Sequence, residues 1–520
     1  MCYRVVIPTA GIGSRLKDFT KYINKSLVSI ANRPTISHLI EQFPPDCEFV
    51  IALGHKGKLV KDFLELAYPD RSFFFANVDP YKGKGSGLGF SLLACEQYLQ
   101  QPFVFLSCDT LVKESIPKPD CDWMGYSERD DSIQYRVLKI DSGKVSEICE
   151  KGAVKNSPNA YIGLAGIYNY QNFWKAMHSG GALAIEQGES YGMRTILEDN
   201  KVYPYKFTWF DTGNLESIKI AREAYSEPDE PNILEKENEA IWFVDDIVIK
   251  YSNDKNFIAN RIKRVSELEG FVPKVYAHRE NMYCYKKVNG EVLSSVISLP
   301  IFDKFLQHSR SFWSETFLTP EKEKVFHGDC LKFYKIKTFE RIDLFYKIFN
   351  KSDSCEFINN EEMPLLKKLL DSIDWNWLCQ GLPGRYHGDF HFENILWIND
   401  TQSFSFLDWR QDFAGSLSIG DIYYDLAKLK HGLIINHGLI SKNHYSVSWG
   451  DDEIKYDFHR TQALVECEKK FNDWLVFSGY DLKKVEILTA LIFLNIAALH
   501  HNPYSLLLFA LGKKMLKNKI

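Results

Sequence analysis

Short apolar runs separated by glycine-rich or charged turns dominate residues 1–225. RVVIP (Arg4–Pro8), FVIAL (49–53), SFFFAN (72–77) and FVFL (103–106) each place β-branched, leucine or aromatic residues side by side. Continuous runs of this kind suit central strands buried on both faces. Between them, residues 59–66 and the stretch opened by Gly83, Gly85, Gly87 and Gly89 have helical spacing. The alternation predicts an α/β domain of Rossmann-like build with a mixed sheet. Residues 226–239, SEPDEPNILEKENE, break the pattern. Two prolines and six acidic residues in fourteen positions predict an exposed linker. Beyond it, AIWFVDDIVIKYS (240–252) reads as a hairpin turned at Asp245-Asp246, residues 257–268 as a helix and FVPKVYAH as a strand entry. A second domain is therefore expected over 240–520. The most apolar stretch, 487–499, is interrupted by Thr489 and Asn495 and is too short to span a bilayer, so it predicts a buried helix.

At 520 residues the chain has room for two domains, and 45% hydrophobic with 25% charged residues is an ordinary soluble composition. A net charge of −5 argues against a nucleic-acid partner. The eleven cysteines form no CxxC pair or metal-spaced cluster, which suits buried thiols in a reducing cytoplasm. MCYRVVIPTAG runs straight into a strand without a signal peptide. A cytoplasmic protein with small-molecule partners and no membrane insertion is expected.

The first candidate chemistry follows the first strand. In TAGIGSRL, Gly11 and Gly13 allow a tight turn whose amides face phosphate oxygens, and Arg15 can neutralise a triphosphate. Asp109 stands at the carboxyl end of an apolar strand, where α/β proteins place ligands; a cap or turn residue is the plain alternative. A dinucleotide site is disfavoured, because Arg15 and Lys25 are foreign to that fingerprint and no third glycine occurs. Together these residues resemble the sugar-nucleotide (NTP) transferase family, with its AGxGxR signature and downstream lysine. The resemblance implies nucleotide contacts at Ala10, Gly11 and Gly13, and nucleobase contacts at Gly85, Ser86 and Gly87. It also implies catalytic Arg15 and Lys25, magnesium at Asp109 and Asp211 (in FTWFDTGN), and the acceptor phosphate at Lys151. Asn24 replaces the family's proline before the lysine, and Gly152 replaces the one after Glu150-Lys151.

The second lies in YHGDFHFENIL and FSFLDW. Asp389, Asn394 and Asp408 are spaced by five and fourteen residues. Phosphoryl transfer needs a carboxylate to receive or orient the attacking hydroxyl, plus oxygen ligands for magnesium on the nucleotide. The pattern resembles the aminoglycoside phosphotransferase/choline kinase superfamily. That resemblance implies a two-lobed protein-kinase-like α+β domain. Asp389 is then the catalytic base, Asn394 and Asp408 are magnesium ligands, and Lys250 at the end of the hairpin's second strand grips nucleotide phosphates. The partner of Lys250 is open between Asn260 and Glu267. Asp421 and Asp425 read as structural. Arg410 stands where choline kinases often carry glutamate, which argues against choline itself. The C-terminal aromatics (Trp375, Trp377, Tyr423, Tyr424, Trp449, Trp474) read as core, with a quaternary-ammonium cage as the alternative. Residues 513–519 read as a solvated helix end.

A kinase makes a phosphomonoester, and this type of nucleotidyltransferase consumes one. The fusion predicts consecutive steps: a small alcohol (choline, ethanolamine or a polyol) is phosphorylated with ATP. It is then coupled to a second NTP, CTP favoured, with Mg2+ at both sites, as a precursor for surface glycan or lipid. The alternatives are an anomeric sugar kinase feeding an NDP-sugar synthase, a chain with one half inactive, and antibiotic inactivation.

Overall fold

A computed structural model describes residues 3–129, 132–153, 158–199, 201–227, 236–450 and 453–520. It divides into two compact units: Met1–Lys255 with Tyr276–Lys287, and Asn256–Val275 with Val288–Ile520. Part of the predicted linker, 228–235, lies outside the described residues.

Among the described residues of the first unit, nine strands form one mixed sheet. Arg4–Pro8 is central, parallel to both Glu48–Leu53 and Phe103–Leu106, and Phe73–Asn77 extends the parallel edge. Asn159–Ile167 joins antiparallel to Phe103–Leu106 and carries the remaining strands. The pleat splits RVVIP between two cores: Val5 and Ile7 enter one cluster and Val6 the other, all at 0% exposure. The predicted strands and the mixed α/β character are thus present.

The hairpin also forms, with Glu239–Val244 antiparallel to Ile247–Ser252 and Asp245 at φ 49° in the turn. Two details differ from expectation. Lys250 is not at the strand end but inside it, opposite Ile241 and Tyr283, and is buried. The hairpin also belongs to the first unit, because its apolar face has a partner there. Trp242 meets Phe63 of the helix Gly57–Ala67 edge-on at 5.2 Å and donates Nε1 to Ser29 Oγ at 3.1 Å. Tyr251 Oη donates to Tyr22 O at 2.7 Å.

In the second unit, Ile395–Ile398 and Ser403–Phe406 pair antiparallel, with Glu291–Val292 beside the first. The helices Ile422–Ile434, Leu482–Ala497 and Tyr504–Lys517 pack together, and the middle one holds residues 487–497 of the predicted buried stretch, while Leu499 lies beyond its end and is exposed. Aromatic stacking fills the interior: Phe471 with Trp474 and Phe345 with Phe509 are examples. The C-terminal lysines correct the sequence reading. Lys513 is fully buried and pairs with Glu356 at 2.6 Å, while Lys514 and Lys517 hold Glu361. A lysine in a helix whose exposed side is covered by another element is buried only because carboxylates meet it.

Candidate active sites

The first site forms where two strand ends meet. Phe103–Leu106 delivers Asp109 into a turn, and Trp209–Asp211 pairs antiparallel with Thr110–Val112, so Asp211 comes opposite Thr110. Both carboxylates and Arg15 converge on Gly213. A Cβ there would lie 2.9 Å from Asp211 Oδ1, 3.1 Å from Arg15 Nη2 and 3.4 Å from Asp109 Oδ2. Lys25 Nζ donates to Asp109 Oδ2 at 3.2 Å, and Ser107 Oγ donates to Oδ1 at 2.6 Å. Asn24, standing in place of proline, fixes the lysine turn. Its Nδ2 donates to the Thr9 and His55 carbonyls at 2.9 and 2.6 Å, and its Oδ1 accepts from Ser26 N.

Charge follows this geometry. Burial pushes the Asp109 carboxyl up, but Lys25, Ser107 and Arg15 outweigh it and bring it down to about 2. Lys25 also feels burial first, and Asp109 raises its pKa above the ordinary range. Asp211 is raised by burial and then by the Asp109 charge. Two carboxylates that repel one another beside two cations suit a divalent cation shared with phosphate oxygens, since magnesium keeps few protein ligands. Among the described residues no group of three or more His, Cys, Asp or Glu makes a larger metal set.

Other predicted residues stand elsewhere. Gly11 and Gly13 adjoin Lys25, and a Cβ on Gly13 would meet Lys25 Cβ at 2.9 Å. Ala10 O accepts from His55 N. Gly87 is required by packing, because a Cβ would lie 2.4 Å from Ile185 O; Gly85 has φ 86°, and Ser86 Oγ bonds Gly83 O. Lys151 is exposed in the turn after Lys144–Cys149, and the neighbouring Glu150 is held by Arg136 and Arg194. Tyr135, which the sequence reading passed over, donates Oη to Asp211 Oδ2 at 3.2 Å.

The second site is a loop locked from both sides. His387 N and Gly388 N donate to Asp425 at 2.6 and 2.7 Å, so the helix Ile422–Ile434 holds the backbone ahead of Asp389. Asp421 caps that helix and takes the Tyr334 hydroxyl and the Leu382 amide. Both acidic residues are structural, as read from sequence. Arg264, 1% exposed, gathers the Tyr386, Arg410 and Leu417 carbonyls.

Asp389 remains 40% exposed. Its Oδ1 pairs with Lys428 Nζ at 2.7 Å, whereas Oδ2 accepts from Asn394 Nδ2 at 3.1 Å and lies 3.4 Å from His391. Burial would raise the carboxyl, but Lys428 and His391 hold it well below the carboxylate range. His391 rises to about 9, burial being outweighed by Asp389 and Glu393. Pairing of Ile395 with Phe406 and the Leu407 N to Asn394 O bond bring Asn394 and Asp408 together. Asp408 has φ 57°, and its Oδ1 accepts from Arg261 at 2.9 Å. An amide and a carboxylate oxygen, with the rest left to phosphates and water, fit magnesium chemically.

Lys250 lies in the first unit, and Glu267 is exposed. Lys428 and His391 were absent from the sequence reading. The signal for Lys428 was its position three residues after Asp425 on one helix, which puts both on one face.

No family model matches the chain. It is 24% identical over 221 residues to the bifunctional protein GlmU of Methanococcus vannielii, covering 40% of this chain and 51% of that protein. The GlmU of Methanococcus maripaludis strain C5 is 25% identical over 220 residues, with the same coverage. The chain thus spans about half the length of the curated relatives it matches. Among solved structures, an apo UDP-glucose pyrophosphorylase has 20% identity and a TM-score of 0.38, covering 43% of this chain and 98% of its own. CTP:phosphocholine cytidylyltransferase from Streptococcus pneumoniae has 17% identity and a TM-score of 0.35, covering 43% and 99%. The similarity lies in the N-terminal part of the chain.

Proposed function

We propose that the chain carries two reactions: phosphorylation of a small alcohol with ATP, then nucleotidyl transfer to the resulting monoester with release of pyrophosphate. The observation that carries the second step is the convergence of Asp109, Asp211 and Arg15 on Gly213 with Lys25 against Asp109. A cation held by Asp109 and Asp211 would supply neutralisation of phosphate charge. Arg15 and Lys25 bind the NTP phosphates and stabilise the charge that grows as the acceptor phosphate attacks the α-phosphorus. Lys151 meets the acceptor phosphate, and Ala10, Gly11, Gly13, Gly85, Ser86 and Gly87 line the nucleotide.

The first step is supported by the Asp389 loop. Asp389, kept ionised by Lys428 and His391, orients the acceptor hydroxyl and receives its proton as the bond to the γ-phosphorus forms. Asn394 and Asp408 would hold magnesium on the ATP phosphates. CTP is the favoured second nucleotide, the product an activated precursor for surface glycan or lipid, and the setting cytoplasmic. A sugar 1-phosphate acceptor is the second reading, favoured by the AGxGxR signature.

The test uses the full chain. Asp389→Ala should abolish ADP formation from the parent alcohol yet leave pyrophosphate release from the preformed monoester. Asp109→Ala should do the reverse and let the monoester accumulate. Loss of both reactions from either change, in folded protein, would refute two separate sites.

A further inference from the structure

The two oxygens of Asp389 face different company. Oδ2 is turned to Asn394, on the side of the proposed metal ligands, while Oδ1 is turned to Lys428. Around Lys428, Lys337 and Arg410 add further positive charge. A π-helical turn, Lys332–Ile336, interrupts the helical run and ends at Lys337; turns of this rare kind are frequent at functional sites. Lys337 Nζ lies 4.1 Å from the Phe333 ring centre, and the Arg410 guanidinium lies 4.8 Å from the same centre. Tyr424 stands edge-on to Phe333 at 4.8 Å. Arg410 is held by its backbone N, which donates to His387 O at 2.8 Å, and by its Nε, which donates to Asp412 O at 3.0 Å.

Among the described residues neither Lys337 nor Arg410 has an ion-pair partner, and Asp389 is the carboxylate in reach of Lys428. Two buried lysines of this unit are answered by carboxylates, Lys430 by Glu468 and Glu486 and Lys513 by Glu356. Burial foremost, then the crowding of Arg410, Lys428 and Arg341, lowers Lys337 to about 7, with Asp389 opposing. Such crowding costs stability unless an anion relieves it.

We propose that Lys337, Arg410 and Lys428 form the recognition site for an anionic group, carboxylate or phosphate, on the alcohol phosphorylated at Asp389. Phe333 and Tyr424 supply its apolar wall. The inference rests on the kinase reading and narrows its acceptor: a hydroxy acid or a phosphorylated polyol, not a quaternary amine. Lys428 meets the Asp389 oxygen that does not face Asn394, which assigns the cluster to the acceptor and not to the ATP phosphates.

The full chain is assayed for ADP release with ATP, magnesium and a matched panel of glycerate, glycerol 3-phosphate, glycerol and choline. One of the anionic alcohols should have a KM roughly tenfold or more below that of glycerol, the size of one charge-assisted hydrogen bond. Glycerate and glycerol 3-phosphate separate carboxylate from phosphate. K337M and R410M should each raise that KM by about tenfold or more with KM for ATP unmoved, and R410K should restore part of it. A preference for choline or glycerol would overturn the site, as would a rise in the KM for ATP instead of the acceptor's.

Thermal shift without nucleotide separates the two failures. If glycerate or glycerol 3-phosphate raises the melting temperature of wild type but not of R410M while no acceptor turns over, the anion site stands and the kinase reading falls. Turnover of neutral or cationic alcohols with no anion-induced shift leaves the kinase reading and sinks the site. Neither shift nor turnover sinks both.

Discussion

Gly213 shows how a single hydrogen atom can decide a site. Any side chain there enters the space between Asp211, Arg15 and Asp109. Gly213→Ala should leave folding intact and cut pyrophosphate release by roughly a hundredfold, because small displacements of positioned groups are costly. Its melting temperature, measured beside its kcat, separates the two effects.

Glu189 makes a second residue-scale prediction. At 2% exposure, burial raises its carboxyl from 4.5 to about 6 despite Arg136 nearby. The folded chain therefore holds this proton more tightly than the unfolded chain. Its contribution is fully present below the unfolded value and is lost as pH rises through about 6. Wild type should lose about 2 kcal/mol across that window relative to Glu189→Gln, at roughly 1.4 kcal/mol per pKa unit. Parallel denaturation profiles for the two proteins between those pH values would contradict this.

At the scale of elements, the four-stranded sheet built on Glu239–Val244 is part of the first unit's core and not an independent layer. Trp242 is fully buried between Phe63 and Tyr251. Trp242→Ala should cost about 3–5 kcal/mol, the usual range for emptying a large aromatic site. Loss of nucleotidyl transfer on heating should then come at a lower temperature. A fragment ending at residue 225 would expose the face of the helix Gly57–Ala67 that Trp242 covers. The helix Leu88–Cys95 has a comparable constraint: a Cβ on Gly89 would sit 2.0 Å from Ala184 O, so that glycine serves close packing more than nucleotide binding.

For the whole molecule, the two sets of groups belong to different compact units: Arg15, Lys25, Asp109 and Asp211 to the first, Asp389, Asn394 and Asp408 to the second. Each keeps its own carboxylates and cations, so the reactions should be additive under mutation. With the parent alcohol and both nucleotides supplied, ADP and pyrophosphate should appear in equal amounts at steady state. A steady excess of ADP over pyrophosphate, matched by accumulating monoester, would mean that the second step does not draw on the first.

The features legible in the sequence are local. RVVIP had to be a buried strand, Gly13 allowed a tight turn that glycine adopts freely, and the Asp389–Asn394 spacing placed an amide beside a carboxylate within one loop. Each depends on residues a few positions apart, whose geometry the chain fixes itself. What the tertiary structure decided is convergence. Asp109 and Asp211 meet because Trp209–Asp211 pairs with Thr110–Val112. Lys428 reaches Asp389 because Asp425 on the same helix holds the loop's amides. Lys513, read as solvated, is buried because Glu356 arrives from a distant strand. Sheet order and helix docking set such pairings, and they answer to the sum of many weak contacts across the core, which no short stretch of sequence displays.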